Sequence, residues 1–218
     1  MNVILGNGLL GKEIKNQTGW DCISRKDGFD AVYPDFDLLS SYNIIINCIA
    51  NTNSYSDDLE SIMDINYKFV MGLSDYCRIN NKKLIHISTE FVYANNSIPP
   101  TEKDTPKPDN TWYAKSKLLA DQYIEMTNNN YLICRELHKP NPFPYPEVWD
   151  VLTCGDTVDK ISNLIIRLIN KNAKGIFNVG TGEKELFQIA PHANVIKAPY
   201  NAPKDTRMNL NKLNNFLK

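Results

Sequence analysis

Short apolar runs alternate along the chain with stretches of helical spacing. Residues 1–5 form an apolar run that breaks at Gly6, and a helix pattern follows to about Gln17. Residues 21–24 read as a second strand. The run Ile44-Ile45-Ile46-Asn47-Cys48-Ile49 is continuous and largely β-branched, as expected of a strand buried on both faces. Residues 57–80 have helical spacing, with Leu59, Ile62, Met63, Asn66, Phe69, Val70 and Leu73 on one side. Further strands are predicted at 84–88, 131–135 and 176–179, and further helices at 113–126 and 158–170. Strands alternating with helices predict an α/β fold with a parallel sheet covered on both faces. Right-handed crossovers make it a doubly wound sheet. Two stretches break the rhythm. Residues 95–110 are rich in Pro, Asn and charge and read as a surface loop. Residues 139–146 carry Pro140, Pro142, Pro144 and Pro146, which exclude helix and central strand and leave a rigid connector or a ligand rim.

Composition narrows this picture. The 218 residues suit one large domain, or one domain with a small appendage, and 42% hydrophobic residues are enough for a core. A net charge of -1 provides no broad basic surface, so nucleic acid is not expected as a partner. The pair Lys82-Lys83 reads as solvated strand ends. Five cysteines are widely spaced, with no C-x-x-C pair. Cys22, Cys48 and Cys134 fall in apolar runs and are expected to be buried small hydrophobes in a reducing compartment. His86, His138 and His192 are isolated, so no metal site is expected. With no signal-like start and no long apolar run, the expectation is a cytoplasmic protein without a membrane partner.

Candidate chemistry begins at Gly6-Asn7-Gly8-Leu9-Leu10-Gly11, between the first strand and the first helix. In that position a G-x-G-x-x-G loop binds dinucleotides. Gly6 permits the tight turn, Gly8 lets the backbone approach a pyrophosphate, and Gly11 allows close packing of helix on strand. The helix N-terminus offers free N–H groups to the phosphates. An NAD site usually has an acid about 20 residues further on. Ser24 and Arg25 stand there instead, and a guanidinium suits a 2′-phosphate. The expected cofactor is therefore NADP(H), with Asp27 as the competing residue.

The segment Tyr113-Ala-Lys-Ser-Lys117 places Tyr113 and Lys117 on one helix face. A reductase needs an acid for the carbonyl oxygen, and a phenol can serve if a neighbouring ammonium lowers its pKa. Thr89 and Ser88 end a buried strand, where ligands bind in open α/β sheets. The pleat lets only one of them face the cofactor, and Thr89 is the candidate to orient a substrate carbonyl.

These pieces resemble the extended short-chain dehydrogenase/reductase superfamily, most closely its dTDP-4-dehydrorhamnose reductase branch. The resemblance rests on the glycine loop, Ile46-Asn47-Cys48-Ile49-Ala50, Asp64-Ile65-Asn66, Ser88-Thr89-Glu90-Phe91-Val92-Tyr93 and Tyr113-x-x-x-Lys117. It continues in Gly175-Ile176-Phe177-Asn178-Val179-Gly180 and Asp205-Thr206-Arg207-Met208. It implies a Rossmann-type sheet with Thr89, Tyr113 and Lys117 as the catalytic set; the 24-residue step from Thr89 to Tyr113 fits that family. It further implies that Cys48, Ile49 and Ala50 line the cofactor ribose, that Lys117 bonds the nicotinamide ribose, and that Asn66 supports the sheet. The implied activity is NADPH-dependent reduction of a keto sugar nucleotide in carbohydrate biosynthesis.

The chain departs from the family in three places. Its glycine loop is one residue shorter than the common form, and Glu90 stands where Asp is usual. After Arg135 the long segment that builds the sugar-nucleotide pocket is shortened. The expected division is a dinucleotide-binding domain over 1–137, then a reduced substrate lobe with the last sheet elements over 138–218. A homodimer could complete the pocket. Phe143, Tyr145 and Trp149 could stack on a ligand there, although aromatic residues beside prolines more often pack. Two other functions fit the motifs: an NAD-dependent sugar-nucleotide epimerase or dehydratase, and a non-catalytic NADP-binding module.

Overall fold

The computed structural model describes residues 1–94, 96–199 and 202–218. The chain runs through β1 (Asn2–Leu5), α1 (Leu9–Thr18), β2 (Asp21–Ile23) and β3 (Ile44–Asn47). It continues with α2 (Leu59–Met63), a π turn (Asp64–Lys68), α3 (Phe69–Ile79), β4 (Lys83–Thr89), α4 (Trp112–Thr127) and β5 (Tyr131–Glu136). Short strands β6 (His138–Lys139), β7 (Glu147–Trp149), β8 (Leu152–Thr153) and β9 (Asp156–Thr157) precede α5 (Val158–Asn170) and β10 (Gly175–Asn178). The chain ends with β11 (Lys184–Glu185), β12 (Asn194–Ile196) and α6 (Asn211–Leu217).

Six strands form one sheet in the order β10-β5-β4-β3-β1-β2, every pairing parallel. The order reverses at β1, so the carboxyl ends of β1 and β3 flank the crevice where such sheets take ligands. Alternate residues of each strand feed opposite cores, as the two-residue pleat requires. Ile4, Ile46 and Ile85 join a cluster with α1, α5 and α6 on one face. Val3, Leu5, Ile45 and Leu84 join a second with α3 and α4. The doubly wound sheet expected from the sequence is the one observed.

The details correct the reading in four places. The third strand stops at Asn47 rather than Ile49. The helix expected over 57–80 starts at Leu59 and is interrupted by the π turn. Lys82 and Lys83 are not solvated: Lys82 Nζ donates to the Ser40 and Tyr42 carbonyls, and Lys83 Nζ to Asn172 Oδ1 and the Ala173 carbonyl. Each lysine thus closes open backbone acceptors at the amino-terminal edge of the sheet. All five cysteines are free thiols, but the buried ones are Cys77, Cys134 and Cys154, whereas Cys22 and Cys48 are half-buried.

Beyond β5 the chain builds a small lobe before and after α5. It pairs β7 with β12 and β8 with β11. Its core is Val148, Val151, Leu186, Ile189, Ala190, Ala198 and Ala202. Phe143 and Trp149 pack against that core, and Tyr145 stays exposed with its ring against Phe143. The proline segment is thus a connector whose aromatic residues pack. Among the described residues no helix is long and apolar enough to cross a membrane.

Candidate active site

The glycine loop follows from close approaches that only glycine allows. Gly6 has φ +96°, a left-handed conformation that costs a side-chain-bearing residue energy. A Cβ on Gly11 would lie 2.0 Å from the Gly6 carbonyl oxygen, so helix and turn touch there. Gly8, the N-cap of α1, has nothing within 4 Å of a Cβ position. That open space over free N–H groups is the cradle a pyrophosphate needs.

Two clefts meet over this loop. The first, about 450 Å³, runs from Gly6, Asn7 and Gly8 past Cys48, Ile49 and Ala50 to Ser24, Arg25 and Lys26. The second, about 250 Å³, is lined by Gly8, Leu9, Leu10 and Gly11, by Tyr113 and Lys117, and by Ser88, Glu136 and His138. They share Gly8, Cys48 and Ala50, so they form one trough across the crevice. Every expected cofactor residue lies along it.

At the outer end, Ser24 caps the short helix Arg25–Asp27. Its N–H and hydroxyl both donate to Asp27 Oδ2, at 3.0 and 2.9 Å. Asp27 is therefore engaged with the turn, and Arg25 lies beside Ser24 in the cleft, with Lys26 and Asp30 also lining it.

At the inner end, Tyr113 and Lys117 lie one turn apart on α4, whose N-cap Thr111 accepts from the Ala114 N–H. The Thr89 side chain lies against the Tyr113 phenol and favours its charged form. Thr89 thus bears on the cleft through Tyr113, while Ser88 is among the residues that line it. Burial pushes the Tyr113 phenol up to about 12; the Thr89 bond opposes this, and Glu136, Glu90 and Asp121 add to it. This corrects the expectation of a phenol brought toward neutrality by Lys117. Lys117 is itself buried, and its Nζ donates to the Ile87 carbonyl at 2.6 Å. Burial draws Lys117 down to about 8, against the pull of Asp121, Glu136 and Cys48.

Sequence reasoning missed a buried polar row beneath this pair. Asn47 Nδ2 lies 3.3 Å from His86 Nδ1, and His86 Nε2 lies 3.2 Å from Lys117 Nζ. Asp121 Oδ2 accepts from Ser88 Oγ and Arg135 Nε, both at 2.9 Å, and Arg135 also donates to the Tyr93 hydroxyl. The strand pleat was the available signal, since His86 and Ser88 are two residues apart and face α4 together. Glu136 and His138 were also missed. His138 Nδ1 is 3.0 Å from both Glu136 oxygens. Burial works against the His138 cation, but Glu136 more than offsets this and raises its pKa. The carboxyl end of a strand predicted over 131–135 was the signal there.

Glu90 is not in the trough. It accepts from Thr153 Oγ1 at 2.8 Å and Thr206 Oγ1 at 2.5 Å, tying the end of β4 to the small lobe. Burial raises its pKa to about 7 despite those two bonds. Asn66 grips Asn51 rather than the sheet, accepting from its N–H at 2.8 Å and donating to its carbonyl at 3.0 Å. Among the described residues no group of three His, Cys, Asp or Glu is placed to hold a metal.

A family model described as RmlD substrate binding domain matches residues 6–137. No curated protein matches the chain by sequence. Among solved structures the chain is similar to a dTDP-4-dehydrorhamnose reductase from Clostridium acetobutylicum, at 20% identity over 98% of this chain and 91% of that one, with TM-score 0.82. It is similar to the dTDP-4-dehydrorhamnose reductase of Bacillus anthracis in complex with NADP, at 21% identity over 98% and 91%, with TM-score 0.80. It also resembles a Bacillus cereus UDP-glucuronic acid 4-epimerase bound to NAD and a fluorinated UDP-sugar, at 16% identity over 100% and 93%, with TM-score 0.79. At these identities the likeness is one of fold.

Proposed function

The chain belongs to the RmlD substrate binding domain family, and from that premise we propose that it is an NADPH-dependent reductase of a keto sugar nucleotide. One observation carries this reading: the glycine loop and the Tyr113–Lys117 pair open on a single trough. A dinucleotide laid along it has its phosphates over Gly8 and its 2′-phosphate at Arg25. Asp27, the residue that would favour a free 2′-hydroxyl, is held by Ser24. When bound, the cofactor supplies the hydride.

The chain's own residues supply positioning and the proton. Thr89 holds the Tyr113 hydroxyl, and Tyr113 gives its proton to the substrate oxygen as charge develops there. The high phenol pKa keeps that proton in place until the substrate oxygen becomes more basic. Lys117 holds a ribose hydroxyl and, as an ammonium, favours the phenolate that remains. The leading substrate class is a 4-keto sugar nucleotide, as in the reductases of like fold.

A panel of nucleoside-diphosphate 4-keto sugars with NADPH, followed by cofactor absorbance, tests this. Consumption of NADPH with at least one of them is expected. Tight NADPH binding without turnover across the panel would favour a non-catalytic module. Glu136 and His138 favour a second reading, an epimerase that recycles its cofactor, because they add an acid–base pair to the catalytic end. NAD retained through purification would support that reading over the first.

A further inference from the structure

Lys117 is faced on one side by an imidazole whose hydrogen can be placed. Asn47 Oδ1 accepts from the Ile49 backbone N–H at 3.0 Å, which fixes the amide orientation. The other end of the amide, Nδ2, is a donor, and it faces His86 Nδ1. Nδ1 must then be an acceptor, and the hydrogen of neutral His86 sits on Nε2. His86 is fully buried in β4, and burial, reinforced by Lys117, keeps its pKa well below the ordinary value. The Nε2–H points at Lys117 Nζ, 3.2 Å away. A second acceptor facing it, Asp121 Oδ1, is 4.0 Å away and has no partner of its own.

A donor facing Nζ is satisfied by an amine lone pair and repelled by an ammonium. We propose that Asn47 and His86 are positioning residues that make Lys117 a proton-exchanging amine rather than a permanent ammonium. The other groups around Nζ are the Ile87 carbonyl of β4, Asp121 of α4, Glu136 of β5 and Cys48 after β3. Those carboxylates favour the ammonium, so His86 and burial act against them. The use of this balance rests on the reductase reading. After Tyr113 has given its proton to the substrate oxygen, the Lys117 ammonium releases one into the cleft that both side chains line, and the phenolate takes one up there: an N–H bond breaks and an O–H bond forms. The amine that remains accepts the His86 Nε2–H until solvent reprotonates it.

Long-range 1H–15N correlation spectra of the free protein read the His86 tautomer. A proton on Nε2 is expected, and one on Nδ1 overturns the proposal. Asn47→Ser frees the tautomer without changing charge, because a hydroxyl can accept from Nδ1–H. The 13Cε signal of Lys117, assigned by its loss in Lys117→Met, should then titrate about one pH unit higher, the worth of one hydrogen bond. An unchanged or lower midpoint overturns the proposal. Should Asn47→Ser fail to fold, the wild-type tautomer still decides. Both measurements use the free protein, so their failure leaves the reductase reading standing, and an inactive substrate panel leaves the tautomer standing.

Discussion

The two ends of the trough are built from different materials. The nucleotide end is mostly main chain: three glycines, a helix N-terminus and the turn after β3. The reacting end is mostly buried side chains, each held by another: Thr89 on Tyr113, His86 beside Lys117, Arg135 on Asp121. A main-chain site depends on where the backbone can go, so it tolerates varied side chains but not an added Cβ. A side-chain site depends on donors and acceptors matching, so it tolerates shape changes but not a lost partner.

Substitutions can break or sharpen that contrast. The largest effect is expected from Tyr113→Phe, which removes the phenol proposed as proton donor. Turnover should fall ~10²–10⁴-fold, with the Kd for NADPH within about twofold of wild type. Loss of both together would show that the two ends are not separable. Glu90 probes the joint between the reacting end and the lobe. Its folded pKa lies above the ordinary 4.5, so its contribution is present below that value and is lost as pH rises through about 7. Denaturant titrations should show wild type losing ~3 kcal/mol over that window relative to Glu90→Gln. A parallel loss in both proteins would refute the assignment.

Smaller effects are expected at the nucleotide end. Gly11→Ala sets a Cβ against the Gly6 carbonyl and should lower stability by ~1–3 kcal/mol, with weaker NADPH binding by calorimetry. Wild-type affinity in that variant would mean the loop can shift without cost. Arg25→Ala should weaken NADPH about tenfold and leave NADH unchanged. Equal losses for both cofactors would place Arg25 elsewhere than at the 2′-phosphate.

The same contrast sets how much was legible in the sequence. Glycine spacing and strand periodicity are local signals, so the sheet, the loop and the positions of Tyr113 and Lys117 could be read directly. What Lys117 touches could not. His86 is 31 residues away and looked like an isolated histidine, because it and its partners Asn47 and Lys117 come from three different elements. Lys82 and Lys83 misled for the same reason: the carbonyls they satisfy belong to segments about 40 and 90 residues away. The Tyr113 expectation failed because spacing shows a neighbour but not how much water is excluded. The break in the helix over 57–80 left no mark on the apolar spacing, since Asn66 fell on the inner side either way.

That break also bears on the length of the chain. A π turn holds one residue more than the α turn it replaces. Deleting one residue between 64 and 68 would restore an unbroken α-helix and leave everything beyond it facing nearly the same way, since one turn replaces one turn. Phe69, Val70 and Leu73 would then keep their seats in the core, and the grip of Asn66 on Asn51 is what would be lost. The extra residue therefore serves the segment that follows β3, which Asn66 holds, rather than the packing of the helix on the sheet. A regular helix that loses a residue turns its face away from its partner, but here the wide turn is where the count could fall by one with the packing kept.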